Sequence, residues 1–293
     1  MPEICDYEGS EYGTAFWGPS REYEDAVDRR ALGWLLPPVG ARLVEIGAGF
    51  GRLASLYAGY DEVFLVDYSR SLLLQAQEAL RDRPKVTFVV TDLYNLPLAD
   101  DWFNTAVMVR VLHHVQGVSA AFGQVARILA PGGAYVLEYA NKRNAKEVLR
   151  FLAGRPHRQP FSREPSQVVP LNYNFHPAYI RERLGQVGFQ VEAELTASFF
   201  RVDTLKRIAS PAMLARIDGW LQRPLAGLKP GPSVFLRARL VKPGQTRHKG
   251  GVWRCPRCGS LRISETADAV SCNDCGSSWP RRGSFYDFKG QGA

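Results

Sequence analysis

From residue 41 to 139 the chain alternates short, apolar, β-branched runs with helical segments, and this alternation constrains the fold more than any other feature. The runs are Ala41–Ile46, Glu62–Asp67, Lys85–Val90, Thr105–Arg110 and Ala134–Tyr139. A helix is expected after the first run, ending near Gly59. A second is expected over Ser69–Arg81 with Ser69 as N-cap, and a third over Val118–Leu129, stopped by Ala130-Pro131-Gly132-Gly133. Runs of this kind read as strands buried on both faces, so the pattern predicts an α/β fold whose mostly parallel sheet carries helices on either side.

The flanks extend the pattern. Residues 21–36 read as a helix, with Ala26, Val27, Arg30, Ala31, Trp34 and Leu35 at helical spacing, and Pro37-Pro38 ends it. Residues 141–176 are less regular, basic and proline-containing. A helix follows over 177–187 and a strand over Phe189–Ala197. Residues 201–222 look helical, broken near Ser210-Pro211. A last strand is expected over Ser233–Val241, with Val234, Leu236, Ala238 and Leu240 on one face. Residues 242–251 (KPGQTRHKGG) read as a linker.

Five cysteines sharpen the picture beyond that linker. Cys255-Pro-Arg-Cys258 and Cys272-Asn-Asp-Cys275 are two C-x-x-C pairs 13 residues apart, followed by Gly259 and Gly276. A tight turn aims two thiolates at one ion, and two such turns complete a tetrahedron. Zinc is the default ion for four cysteines, iron the lesser alternative, and a redox dithiol the competing reading. A closed ligand set implies a structural metal. Cys5 stands alone and reads as an incidental thiol. An odd count, with no basic-then-apolar leader in MPEICDYEGS, argues against a disulfide framework. No apolar run approaches the roughly 18–20 residues of a membrane span, so a cytoplasmic chain is expected.

The net charge of +8 is uneven. Residues 1–240 hold 28 Lys and Arg against 25 Asp and Glu, and residues 241–293 hold 9 against 4. A bound Zn²⁺ with four thiolates would lower the charge of that tail by two. The basic end is compatible with an ordinary solvated surface or with attraction to phosphate, as in RNA.

The turn after the first run reads Glu45-Ile-Gly47-Ala48-Gly49-Phe-Gly51-Arg52, an E-x-G-x-G-x-G pattern rather than G-x-G-x-x-G. Alternate glycines let a backbone turn tightly and come close to a ligand, and ligands of open α/β sheets bind beyond the carboxyl ends of the strands. A plain β–α turn is the bland alternative. Asp67 ends the second run, where a carboxylate can accept from both hydroxyls of a ribose. Asp92 follows the third, where it can accept from an adenine amino group. Each alone reads equally well as a surface aspartate; their order after the turn is harder to dismiss.

Together the stretches LVEIGAGFGRLA, VFLVDYS, TDLYNLPLADDWFNTAVMVRVLHHV and ARILAPGGAYVLEYANK resemble class I S-adenosylmethionine (SAM) dependent methyltransferases. The likeness is to the broad small-molecule and tRNA-modifying group with two histidines after strand four. It covers residues 43–139 and extends more weakly to Val241. It implies a doubly wound, Rossmann-like sheet of seven strands, one antiparallel, with a small C-terminal zinc ribbon. The domain would span 1–241, with 1–36 as lid and helix and 141–176 and 199–232 as substrate-side insertions; the linker is 242–251 and the ribbon 252–293. The resemblance further implies that Gly47, Ala48, Gly49 and Gly51 line the methionine part of SAM and that Glu45 braces the loop. Asp67 would hold the ribose, Tyr68 would lie beside the adenine, Asp92 and Leu93 would contact the base, and Arg110 would offer backbone atoms to the amino-acid end. Asn104 departs from the family's usual Asp; Asp101 is nearby.

SAM carries an activated methyl, so such a protein must chiefly orient an acceptor and exclude water. His113 and His114 follow strand four and are candidate bases, or pocket-shaping residues. Tyr7, Tyr12, Phe16 and Trp17, and Tyr173, Phe175, His176 and Tyr179, are two aromatic clusters that can wall an acceptor or belong to the core. Ser278-Trp279-Pro280-Arg281-Arg282-Gly283 loosely resembles the tyrosine–proline stretch of small zinc proteins that activate methyltransferases, with Trp279 in place of Tyr. The ribbon could therefore dock on the catalytic domain, hold substrate, or simply stabilise. The expected acceptor is a small molecule: a lipid, quinone or secondary-metabolite precursor. The alternatives are tRNA or rRNA gripped by the basic ribbon, and a non-catalytic adaptor. No Asn/Asp-Pro-Pro-Tyr tetrad is present.

Overall fold

The apolar runs become strands of one sheet in a computed structural model that describes residues 4–9, 17, 21–83, 85–155, 159–202, 205, 208–243 and 250–289. In chain order the elements are α1 (Glu22–Leu35), β1 (Gly40–Ile46), β2 (Tyr60–Asp67), α2 (Arg70–Ala79), β3 (Val86–Val90), β4 (Phe103–Met108), α3 (Val118–Ile128), β5 (Leu129–Ala140), α4 (Ala145–Leu152), β6 (Ser166–Val169), β7 (Asn172–Asn174), α5 (Pro177–Gln186), β8 (Phe189–Ala197), α6 (Pro211–Gln222) and β9 (Ser233–Leu240). Then come β10 (Ile263–Glu265), β11 (Ala269–Cys272), β12 (Ser278–Arg282) and β13 (Phe285–Asp287). Seven strands lie in the order β3-β2-β1-β4-β5-β9-β8, and β9 runs antiparallel to both neighbours. The expected Rossmann-like α/β sheet is present.

Strand periodicity divides the core into two layers. Val44 and Ile46 of β1 face Phe122 and Val125 of α3 and Ile180 of α5 on one side. Leu43 joins Val27 and Leu32 of α1, Leu73 of α2 and Leu214 of α6 on the other. In α3 the buried residues Val118, Ala121, Phe122, Val125 and Ile128 form one stripe.

Four local expectations need correction. The chain after the glycine turn forms only a 3₁₀ turn over Ala54–Tyr57, not a helix to Gly59. Gly51 has φ 76, and a Cβ on Gly59 would lie 2.1 Å from the Pro38 carbonyl, so the segment is too tightly bounded for α turns. The Pro-Gly-Gly stretch does not delay β5 to residue 134. The strand starts at Leu129 and takes up Ala130–Gly133 as a register shift against β4. Strand β4 ends at Met108, and Arg110 stands beyond it in the left-handed region at φ 63. Trp34 is not on the inner face of α1; it is exposed, with the Arg223 guanidinium over its ring. Glu24 and Asp28 take the inward positions instead.

The larger difference lies at the C-terminus. The sheet does not stop at β3: β13 pairs parallel with it, Phe285 opposite Phe88 and Asp287 opposite Val90, and β12, β11 and β10 continue outward. Eleven strands thus follow one another in hydrogen-bonded order. Trp253, Trp279, Tyr286 and Phe288 belong to the same core cluster as Phe64 and Val89. Each large apolar side chain so buried contributes roughly 1.5–3 kcal/mol, against roughly 0.5–1.5 kcal/mol for a ladder hydrogen bond. Packing therefore holds the ribbon more firmly than strand pairing does. Residues 244–249 of the expected linker lie outside the described residues.

Candidate active site and metal centre

The glycine turn sits at the carboxyl end of β1. Gly47 N donates to the Val66 carbonyl, and a Cβ on Gly47 would lie 2.1 Å from Val111 Cγ2. Gly49 adopts φ 54 and a Cβ there would meet nothing within 4 Å, so this residue faces open space. That space is a cleft open to solvent, with a cavity volume of about 110 Å³. Gly47, Gly49, Asp67, Tyr68, Leu93, Arg110 and His114 border it. So do Ile4, Cys5 and Tyr7, from a segment whose Glu8 carboxylate accepts from Arg70 N and Ser71 N. Cys5, expected to stand apart, is in the wall.

Asp67 is held by its own turn: Gly49 N donates to Oδ2 at 2.7 Å and Ser69 N to Oδ1 at 2.8 Å. Burial raises its pKa, and these backbone donors oppose the rise. Asp92 sits between the lining residues Thr91 and Leu93 but is not itself a lining residue. Its Oδ1 accepts from Tyr94 N at 2.7 Å and caps the turn Leu93–Asn95. Glu45 and Gly51 are not among the residues that line the cleft, and Ala48 borders a smaller recess with Trp17 and Arg52. Burial pushes Glu45 up to about 8, against the pull of Arg52. Asn104 Oδ1 accepts from Arg42 N, and Asp101 pairs with Lys242.

A second chamber, with a cavity volume of about 270 Å³, adjoins the cleft across Tyr7, Arg110 and His114. Its other walls include Trp17, Arg21, Glu24, His113, Glu138, Asn172, Asn174 and Arg201. His114 Nδ1 lies 2.8 Å from the Leu171 carbonyl, which only accepts, so Nδ1 carries the proton. Nε2, 2.8 Å away, accepts from the Tyr7 hydroxyl. Burial lowers the His114 pKa, against the Leu171 bond, so the ring is neutral at pH 7. His113 lies with its ring 4.0 Å from that of His114. Burial, then His114 and Arg110, hold its pKa well below the ordinary value.

Between the two spaces runs an ionic network that sequence reading missed. Asp28, fully buried, accepts from Arg110 Nη2 at 2.6 Å and from Arg52 Nη2 at 2.7 Å. Glu138 accepts from Arg110 N at 3.1 Å and Nη1 at 3.3 Å. The one available signal was an aspartate at an inward helical position of α1. The aromatic clusters divide: Tyr7 and Trp17 line the chamber, and Tyr12 and Phe16 lie outside the described residues. Phe175 is core, stacked on Tyr179 at 6.0 Å, and His176 caps α5 through Nδ1.

The four cysteine Sγ atoms all lie within 4.8 Å of one another, with Cys255 and Cys275, and Cys258 and Cys272, each 3.6 Å apart. A tetrahedron with metal–sulfur bonds of about 2.3 Å has sulfurs about 3.8 Å apart, so the residues fit one ion. Gly259 (φ 77) and Gly276 (φ 72) close the turns, their N–H groups donating to the carbonyls of Cys255 and Cys272. The ribbon also reaches the cleft. Lys289 Nζ lies 3.6 Å over the Tyr68 ring and 2.9 Å from Asp6.

Among the described residues no helix is long and apolar enough to cross a membrane. Residues 44–137 match the family model described as a methyltransferase domain. An uncharacterized chloroplastic methyltransferase of Arabidopsis thaliana is 28% identical over 130 residues, 41% of this chain and 35% of that protein. A demethylmenaquinone methyltransferase of Paenarthrobacter aurescens is 25% identical over 215 residues, 71% of this chain and 73% of that protein. The chain spans about a third of the length of the first curated relatives it matches. Among solved structures, a chain from the complex between the Haloferax volcanii Trm112 methyltransferase activator and a methyltransferase is similar in fold. It aligns with a TM-score of 0.54 at 18% identity, over 76% of this chain and 92% of that one. Residues 44–137 are therefore similar to a methyltransferase domain, carried on a fold shared with that structure, with a four-cysteine ribbon joined to its edge.

Proposed function

We propose that this chain transfers the methyl group of SAM to a small-molecule acceptor held in the second chamber. The observation that carries the reading is the junction of the two spaces. A glycine-lined cleft at the carboxyl ends of β1 and β2 opens onto a walled chamber beside β4 and β5, and Tyr7 and His114 border both. In the cleft, Gly47–Gly51 would face the methionine part and Asp67 the ribose. Tyr68, Leu93 and, at the rim, Asp92 would meet the adenine, and Arg110 N would lie near the amino-acid end. Glu45 would brace the turn. SAM, when bound, supplies an electrophilic methyl that needs no further activation.

The protein's own part is orientation and proton handling. The Tyr7 hydroxyl, donating to His114 Nε2, can accept a hydrogen bond from the acceptor's nucleophilic O–H or N–H. As the acceptor is methylated its proton moves to Tyr7 Oη, and the Tyr7 proton moves to His114 Nε2, leaving an imidazolium steadied by the Leu171 carbonyl. The segment from Ile4 to Gly9 and the β6–β7 hairpin exclude water. Zinc in the cysteine site would be structural, keeping β13 against β3.

A small acceptor is favoured over RNA by the placement of the ribbon. From β13 to β5 there are five strand spacings of about 4.8 Å, or about 24 Å, so the basic ribbon stands on the adenine side, away from the chamber. The test is calorimetry with S-adenosylhomocysteine, then incubation with methyl-labelled SAM and separated lipid, RNA, protein and small-metabolite fractions. Micromolar binding and label in the small-metabolite fraction are expected. No binding at millimolar ligand would refute methyl transfer, and label in RNA would refute the acceptor class.

A further inference from the structure

We infer that the acceptor carries an anionic oxygen group, a carboxylate or phosphate, that docks against Arg201 in the second chamber. This rests on the methyl-transfer reading above. Three cations, Arg21, Arg110 and Arg201, and two carboxylates, Glu24 and Glu138, line the chamber. Most of this charge is already committed. Arg110 is paired with Asp28 and Glu138, and Glu24 lies 3.4 Å from Arg21. Arg201, mostly buried just beyond the end of β8, has no ion pair among the described residues. Its Nη2 donates to the Ser198 and Ser233 hydroxyls, each at 3.0 Å, and its Nε is buried with no hydrogen-bond partner.

Arg110 shares those hydroxyls: its Nη1 lies 3.0 Å from Ser233 Oγ and its Nη2 3.4 Å from Ser198 Oγ. Two guanidinium groups therefore stand side by side. Burial, with Arg110 beside it, lowers the Arg201 pKa to about 10, which still leaves it charged at neutral pH. Among the described residues no carboxylate makes a direct ion pair with it, Glu138 and Asp28 acting only at longer range, so an entering oxyanion adds charge-assisted hydrogen bonds to a desolvated guanidinium. Asn172 and Asn174 add polar groups to the walls. An apolar quinone or lipid tail would dry the chamber and leave Arg201 without an ionic partner and its Nε unpaired, and sites built for polar partners reject such ligands strongly. His114 and Tyr7 mark the methyl side of the chamber, so the anionic group and the nucleophile belong at different ends of the acceptor.

The test is calorimetry on protein saturated with S-adenosylhomocysteine, using 4-hydroxybenzoate, phenyl phosphate and the neutral 4-hydroxybenzyl alcohol as probes. At least one anion should bind about tenfold more tightly than the alcohol, a difference of about 1.4 kcal/mol. Which of the two anions binds distinguishes carboxylate from phosphate. Arg201→Gln should abolish the preference, Arg201→Lys should keep part of it, and S-adenosylhomocysteine affinity should stay within about twofold of wild type in both. Equal binding of the alcohol, or no binding of either anion at millimolar concentration, overturns the inference. So does loss of S-adenosylhomocysteine affinity in Arg201→Gln, which would assign Arg201 to the cofactor's own carboxylate. If the wild-type protein itself fails to bind S-adenosylhomocysteine, the methyl-transfer reading falls first.

Discussion

Asp28 offers the sharpest test of how this site is held together. It is fully buried on α1 and takes Arg110 Nη2 on one carboxylate oxygen, and Arg110 Nε and Arg52 Nη2 on the other. Asp28→Asn keeps the shape, removes the charge and turns an N–H₂ group toward two guanidinium groups. Breaking a buried ion pair from one side costs about 3–5 kcal/mol. The lower end applies here, because Arg52 keeps Asp25 and Arg110 keeps Glu138. At about 2–4 °C per kcal/mol for a chain of this class, a loss of about 3 kcal/mol lowers Tm by about 6–12 °C. Differential scanning calorimetry measures it. The pH dependence carries a second check. Burial raises the Asp28 pKa, but Arg110 and Arg52 outweigh it and hold the group below the ordinary carboxylate value. Its contribution is then complete above the unfolded value near 4 and is lost as the pH falls through the depressed folded value. The gap between wild type and Asp28→Asn should stay constant from pH 8 to 5 and shrink only below about pH 4. A Tm within 1 °C of wild type, or a gap already closing between pH 7 and 5, would refute the assignment of this carboxylate as the charged hub of the network.

Four further outcomes are expected. Gly49→Val places a branched side chain into the cleft at φ 54, and should weaken S-adenosylhomocysteine affinity by at least about tenfold in calorimetry at a temperature where the variant is folded. Unchanged affinity would show that the cleft is not the cofactor site. The rate of methyl transfer should fall on acidification with an apparent pKa below the ordinary histidine value of about 6.5, because burial lowers the His114 pKa. His114→Gln should remove that acid limb from the pH–rate profile. Stripping the metal with a chelator, or Cys258→Ser, should lower Tm and also weaken S-adenosylhomocysteine binding about two- to fivefold, the cation–π worth of Lys289 on Tyr68; a drop in Tm with unchanged binding would limit the ribbon to a stabilising role. Glu45, raised to about 8 by burial, is protonated in the native state where the unfolded chain is ionised. Its contribution is therefore complete below the unfolded value near 4.5 and declines as the pH rises through about 8, a slope that denaturant titrations should find missing in Glu45→Gln.

What could be read in advance follows the range of the interactions involved. The strands β1 to β5 are covered on both faces, so each is a short apolar run, and nothing remote is needed to see Leu43–Ile46 or Val63–Val66 as strand. The glycine turn and the two C-x-x-C pairs are equally local: Gly47, Gly49, Gly259 and Gly276 all take positive φ for reasons contained within a few residues. The ribbon's attachment is different in kind. Strand β13 is three residues long, too short to show a period, and its partner β3 lies roughly 200 positions earlier. Only the high share of aromatic residues around it, Trp279, Phe285, Tyr286 and Phe288, hinted at a buried edge.

The chamber was least legible, because charge partnership leaves no periodic trace. Asp28 and Arg110 are 82 residues apart, Arg110 and Glu138 a further 28, and each alone looks like a solvated surface residue. The consequence was a misplaced helix face on α1. Helical spacing from Ala26 to Leu35 turned Trp34 inward, whereas the fold buries Glu24 and Asp28 and leaves Trp34 under Arg223. The aromatic residues near the start and near 173–179 read equally well as acceptor wall or as core, and they divide: Tyr7 and Trp17 line the chamber and Phe175 is core, while Arg201, Asn172 and Asn174 reach the chamber from loops and a short hairpin. The cleft is made by the strand ends and the glycine turn and is written into strand and turn patterns. The chamber is made largely by the connections between strands, and its chemistry becomes visible only once those connections are placed in space.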